Sequence, residues 1–104
     1  MTDELRKRIK ETIESDRVML FMKGSPSMPQ CGFSAAVVGV LKEQGVAFGS
    51  YNILADQELR EGLKEYSSWP TFPQLYVGGT LVGGCDIVKA MHASGELAKV
   101  LKPA

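Results

Sequence analysis

Five consecutive apolar residues, Val18 to Met22, place the tightest constraint on this chain. The run is short, continuous and apolar, the pattern of a strand buried on both faces. Helical patterns flank it. Leu5, Ile9 and Ile13 recur every four residues among Lys, Arg and Glu, which puts one apolar stripe on a first helix. Downstream, Phe33, Ala36, Val37, Val40 and Leu41 follow an i, i+3, i+4, i+7, i+8 pattern, and Gly45 stops this second helix.

Phe48 to Ile53 has little helical periodicity and predicts a second strand. A strand, a crossover helix and a strand imply a right-handed parallel unit. Asp56 is a candidate cap for a third helix with Leu59, Leu63 and Tyr66 on its inner face. Leu75 to Val77 and Leu81 to Val82 flank Gly78-Gly79-Thr80, a hairpin signal because tight turns need positive φ. Asp86 is placed as the cap of a fourth helix carrying Ile87, Val88 and Met91; Gly95 ends it, and Leu97 to Leu101 form a last helical piece. A parallel half followed by a hairpin half predicts an α/β chain with a four-stranded mixed sheet and helices on both faces, the thioredoxin-like arrangement. No linker or repeat divides it, so residues 1–104 are expected to form one domain.

With 104 residues and 44 % apolar composition, the chain needs no disulfide staples to build a core. Its formal net charge is zero, with no basic face, which disfavours nucleic acid and acidic membranes as partners. No apolar stretch approaches the roughly 18 residues of a membrane span. Met1 to Glu14 is too charged for a signal peptide and too acidic for a typical transit peptide, although a removed presequence would leave no trace. Two cysteines do not make a secreted disulfide framework, so a reducing compartment is expected: cytoplasm, or mitochondrial matrix or chloroplast stroma after presequence removal.

The chemistry concentrates in Lys23 to Ser34, a two-proline loop that sets Cys31 where the second helix begins. A thiol there feels unpaired backbone N–H groups and the positive end of the helix dipole, which favours its thiolate. The competing reading is a small buried hydrophobe. Position 34 is Ser, so the Cys-x-x-Cys dithiol is missing, and a resolving thiol would be Cys85 or an external one. Trp69-Pro70-Thr71-Phe72-Pro73 reads either as a rigid loop or as a cis turn leaving the Phe72 N–H and C=O free for an extended peptide. Arg60 and Lys64 lie i, i+4 beside the apolar stripe of the third helix, where solvated surface is the default. Lys23 ends the first strand close to Cys31 in the chain. Gly83-Gly84-Cys85-Asp86 reads as a strand-to-helix turn, with an amide-lined nest as the functional alternative. His92 reads as an ordinary helix residue.

Four motifs now stand in order: Lys23-Gly24, Cys31-Gly32-Phe33-Ser34, Trp69-Pro70-Thr71-Phe72-Pro73-Gln74 and Gly83-Gly84-Cys85-Asp86-Ile87. Together they closely resemble the monothiol, CGFS-type (class II) glutaredoxins, over essentially the whole chain after the first helix. The resemblance implies a thioredoxin-like fold and glutathione as ligand. It makes Cys31 the active thiolate and an iron ligand, and gives Lys23 and Arg60 to the glycine carboxylate region of glutathione. Phe72, before a cis Pro73, would pair with the cysteinyl part; Cys85 and Asp86 would hold the γ-glutamyl end. A [2Fe–2S] cluster typically needs four thiolates. One Cys31 from each of two chains and two glutathiones supply them, which implies a cluster-bridged homodimer that returns to apo monomers on cluster loss.

Two functions compete on these residues. The first is an iron–sulfur carrier that passes [2Fe–2S] to apo iron–sulfur client proteins and serves iron homeostasis, with BolA-type proteins as the hetero-partners the resemblance suggests. The second is a glutathione-dependent thiol–disulfide oxidoreductase acting on protein–glutathione mixed disulfides through Cys31. A sensor built on a Cys31–Cys85 disulfide is a weaker third.

Overall fold

The computed structural model describes residues 1–103. The first helix, α1 (Asp3–Ile13), starts at Thr2, whose side chain accepts the Leu5 N–H. Then follow β1 (Val18–Met22), α2 (Gly32–Glu43), β2 (Gly49–Asn52), a single 3₁₀ turn (Ile53–Ala55), α3 (Gln57–Ser67), β3 (Gln74–Val77), β4 (Thr80–Gly83), α4 (Cys85–Ser94) and α5 (Glu96–Leu101). The strands form one sheet in the order β2-β1-β3-β4. β1 pairs with β2 in parallel, Met19 opposite Gly49 and Met22 opposite Asn52. It pairs antiparallel with β3, Phe21 opposite Gln74, and β3 pairs antiparallel with β4 across the Gly78-Gly79 turn. This is the mixed sheet of the thioredoxin-like fold.

The central position of β1 explains its composition. All five of its residues are buried. Val18, Leu20 and Met22 point to a core shared with Val37 and Leu41 of α2, Val88 of α4 and Leu97 and Leu101 of α5. Met19 and Phe21 point the other way, to Ile9 and Ile13 of α1, Leu59 and Leu63 of α3, and Phe72 and Tyr76. Alternation along a strand feeds two layers only when both faces are covered, so an amphipathic pattern would fail here. Burying a side chain such as Phe21 stabilises by about 2–3 kcal/mol, and its ring meets Tyr76 edge-on at 5.5 Å.

On that second face, α1 and α3 approach closely at Gly62, where a Cβ would lie 2.8 Å from Ile9 Cδ1 and 3.1 Å from Leu5 Cδ2. That contact seats α3, and with it the cationic side chains it carries.

Two local expectations are corrected. The second strand is shorter than Phe48 to Ile53, because Asn52 starts the 3₁₀ turn by accepting the Leu54 N–H on Oδ1 at 3.0 Å. Asp86 does not cap the fourth helix. The N-cap is Gly84, with no side-chain hydrogen bond, and Asp86 lies inside the first turn. A carboxylate there still complements the positive helix end. Asp56 does cap α3, accepting the Leu59 N–H at 3.1 Å. Among the described residues no helix is long and apolar enough to cross a membrane.

Candidate functional site

The loop between β1 and α2 is a closed structure. The Gln30 N–H donates to the Lys23 carbonyl at 2.9 Å, Ser25 and Met28 exchange backbone hydrogen bonds, and Gly24 bridges Pro29. Gly24 has φ +90°, and a Cβ on it would fall 2.4 Å from the Met28 carbonyl oxygen and 2.8 Å from the Gln30 nitrogen. Only glycine fits that turn. Two side chains tie the loop to the fold from outside it. The Gly24 N–H donates to Asn52 Oδ1 at 3.0 Å, and the Lys23 N–H donates to the Oγ of Ser34, which is fully buried.

The loop delivers Cys31 to the N-cap of α2 in an extended conformation, with no side-chain cap bond of its own. Its half-exposed thiol is held below the usual thiol range, chiefly by the Ser34 backbone N–H. The Phe33 N–H, the charge of Lys23 and the Ser34 hydroxyl add to this, against the opposing effect of desolvation. A thiolate at a helix start accepts the N–H groups the helix leaves unpaired. Cys85 behaves oppositely: burial pushes its thiol up. Both cysteines are free.

Beside Cys31 opens a cleft of about 360 Å³. Lys23 and Phe33 form one wall, Arg60 and Lys64 of α3 a second, Trp69 to Pro73 a third, and Gly84 to Ile87 at the start of α4 the fourth. The fold thus brings Lys23, Arg60, Phe72, Cys85 and Asp86 around one space. Cys31 is not a wall residue; it stands at the side of the cleft, joined to it through Phe33 and Lys23.

Three cationic side chains, Lys23, Arg60 and Lys64, face one carboxylate, Asp86. Lys64 is partly neutralised by Glu61 at 3.1 Å. Arg60 is not: its Nε is buried with no hydrogen-bond partner among the described residues. A buried guanidinium N–H left unpaired costs about 1–3 kcal/mol, so the site favours an anionic acceptor. Across the cleft the Phe72–Pro73 peptide bond is cis, and no hydrogen bond within the described chain uses the Phe72 N–H or C=O. The geometry suits a small peptide-like acid: a carboxylate at the cationic end, an extended backbone at Phe72, and a sulfur beside Cys31.

Lys64 and the Trp69–Thr71 segment line the cleft although the residues carried over by resemblance omit them. Gln74 closes the third motif, yet the resemblance gives it no role. It is fully buried at the start of β3 and hydrogen-bonds the loop that carries Phe72. Beyond that motif, its trace in sequence is a polar side chain at the head of an apolar strand. For metals, no group of three or more His, Cys, Asp or Glu side chains gathers among the described residues. A metal held here would need ligands from outside the chain.

Residues 18–82 match the glutaredoxin family. The chain is 60 % identical over 100 residues to monothiol glutaredoxin-S11 of Oryza sativa subsp. japonica, an alignment covering 96 % of this chain and 20 % of the rice protein's length. It is 54 % identical over 107 residues to monothiol glutaredoxin-5, mitochondrial, of Saccharomyces cerevisiae, covering 100 % of this chain and 71 % of the yeast protein. The solution structure of reduced poplar apo GrxS14 superposes with a TM-score of 0.80 at 53 % identity, covering 91 % of this chain and 87 % of that one. With Cys31 at the start of α2 and Ser34 where a second thiol would stand, the chain belongs to the glutaredoxin family, in its monothiol class.

Proposed function

We propose that this chain binds glutathione in the cleft and shares a [2Fe–2S] cluster, as cargo, with a second copy of itself. The observation that carries the reading is the pairing of a depressed, half-exposed Cys31 thiol with a cationic cleft whose Arg60 Nε is buried and unpartnered. Arg60 and Lys23 take the glycine carboxylate. The free N–H and C=O of Phe72 pair with the cysteinyl backbone. The start of α4, at Cys85 and Asp86, receives the γ-glutamyl group, whose ammonium suits the Asp86 carboxylate. Cys31 then supplies one thiolate per chain and the bound glutathione another, so two chains complete the four that such a cluster takes.

Two of those four ligands are held only noncovalently, which suits carriage and hand-over to apo iron–sulfur clients. A BolA-type protein replacing one protomer fits the same ligand shortage. Bound cluster makes the homodimer and its loss returns monomers.

The depressed thiol also favours a second reading, protein deglutathionylation. The Cys31 thiolate attacks the glutathione sulfur of a mixed disulfide, forming Cys31–S–S–glutathione and releasing the client as a thiolate. A second glutathione thiolate attacks that disulfide, yielding glutathione disulfide and restoring Cys31. Ser34 offers no thiol for this second step.

Anaerobic reconstitution with iron, sulfide and glutathione separates the two readings. The carrier reading expects a red-brown dimer with about two irons, lost in Cys31→Ser, largely kept in Cys85→Ser and bleached when free glutathione is removed. A colourless protein that rapidly reduces a glutathionylated substrate would refute it in favour of the second.

A further inference from the structure

The wall formed by Trp69 to Pro73 is a loop, and a loop cannot hold a ligand's backbone in register unless something fixes it. Within the loop, few backbone groups bond to other backbone; the exception is the Trp69 N–H, which reaches the Lys64 carbonyl at 3.2 Å and Ser67 Oγ at 3.1 Å. What fixes the other end is Gln74. Its side chain is fully buried, and its Nε2 donates to the Trp69 carbonyl at 3.1 Å and to the Thr71 carbonyl at 3.3 Å. Its Oε1 accepts the Tyr76 hydroxyl proton at 2.9 Å. Because the Trp69 and Thr71 carbonyls can only accept, the amide nitrogen must face the loop, which turns the amide oxygen to Tyr76 and makes its hydroxyl the donor. The two carbonyls it captures bracket Pro70, and the second immediately precedes Phe72.

We propose that Gln74 is a positioning residue for ligand binding: its carboxamide, oriented by Tyr76, clamps the Trp69 and Thr71 carbonyls so that the backbone of Phe72 faces the cleft. The same loop is tied to the end of α3 through Ser67, whose Oγ also donates to the Leu63 carbonyl at 2.6 Å. Since α3 carries Arg60 and Lys64, the clamp fixes the peptide-pairing wall relative to the carboxylate-binding wall. A strand residue chosen only for packing would be apolar here. A buried amide that spends its N–H groups on one loop instead specifies that loop's shape.

The ligand arm of this inference rests on the glutathione reading; the loop arm does not. Trp69 is the only tryptophan, so its fluorescence reports the loop directly. Gln74→Met keeps roughly the volume and removes every hydrogen bond. The expected result, with no ligand present, is a shifted Trp69 emission and at least a twofold rise in acrylamide quenching. Glutathione, titrated by NMR, is expected to bind roughly tenfold more weakly, about the effect of one buried hydrogen bond left unmade. The comparison is Leu97→Val, which lowers stability from the opposite core and leaves both readouts at wild-type values. Wild-type Trp69 emission and quenching in Gln74→Met, or the same loss of affinity in Leu97→Val, overturns the proposal. Wild-type protein that binds no glutathione refutes the functional reading, while the fluorescence result still decides the clamp. If Gln74→Met does not fold, the wild-type protein serves: both Gln74 amide protons are expected to exchange slowly with solvent, and fast exchange overturns the proposal.

Discussion

Asp56 does more than begin a helix, and replacing it tests how α3 is held. Its Oδ1 accepts the Leu59 N–H at 3.1 Å as N-cap, while Oδ2 accepts the Tyr51 hydroxyl at 2.6 Å and a guanidinium N–H of Arg8 from α1. The Arg8 guanidinium is the largest cause holding the Asp56 carboxyl down at about 2, with Tyr51 and the Leu59 N–H adding to it against burial. A fall from 3.8 to about 2 sets an upper bound of about 2.5 kcal/mol on what ionisation adds to stability. The Arg8 side chain is 43 % exposed, so solvent screening reduces this to about 1 kcal/mol. The cap bond contributes about 1 kcal/mol more.

Asp56→Ala therefore loses about 2 kcal/mol at pH 7, a fall in Tm of about 10 °C for a domain of this size. Asp56→Asn keeps an adequate cap and loses only the charge, so it should fall about halfway. The folded carboxyl titrates below the unfolded one, so the charge contribution is present above pH 3.8 and is lost as pH falls through about 2. Urea unfolding followed by circular dichroism should show the gap between wild type and Asp56→Asn nearly intact at pH 4. At pH 2.5 roughly a third of it should remain. A gap that is constant from pH 7 to 2.5, or absent at pH 7, refutes the role assigned to the Arg8–Asp56–Tyr51 network.

Two further outcomes follow from the loop and its thiol. Gly24→Ala forces a Cβ against the Met28 carbonyl at positive φ, so it should cost about 1–3 kcal/mol and slow alkylation of Cys31; wild-type values for both in thermal melts and iodoacetamide kinetics would show that the loop yields freely. At neutral pH, iodoacetamide should modify Cys31 at least roughly tenfold faster than Cys85, because one thiol is held low and the other pushed up. Peptide mass spectrometry reads the ratio, and comparable rates would contradict the assigned environments.

The fold was legible where a pattern is enforced locally. Val18 to Met22 had to be central because no half-exposed strand tolerates that composition, and the stripe of Leu59 and Leu63 marked the inner face of α3. Legibility failed where one residue's backbone decides. Asp86 looks like a helix cap by type, yet Gly84, extended at the N-cap with no side chain to contribute, starts the helix earlier. Asn52 ends β2 by bonding the Leu54 N–H and reaches back to Gly24, a contact between positions far apart in sequence. Arg60 and Lys64 look solvated because an i, i+4 pair on a helix flank usually is. Only the docking of the Trp69–Pro73 loop against α3 turns them into a wall.

The two cysteines show most sharply why a local rule for the site is insufficient. Each stands at the start of a helix, Cys31 as the N-cap of α2 and Cys85 as the first residue of α4. A rule based on helix dipoles alone would activate both. Their thiols nevertheless move in opposite directions. At Cys31 the backbone N–H groups of Ser34 and Phe33 converge on the sulfur, and Lys23 adds its charge because β1 ends beside α2. At Cys85 burial dominates: the charge of Lys89 pulls the thiol down, but burial, with smaller contributions from Asp86 and Cys31, outweighs it. What activates the sulfur is therefore the N-cap geometry, where backbone N–H groups outweigh the desolvation of a half-exposed thiol. The long loop from Lys23 to Gln30, closed at Gly24 and held by Ser34 and Asn52, is what supplies that geometry.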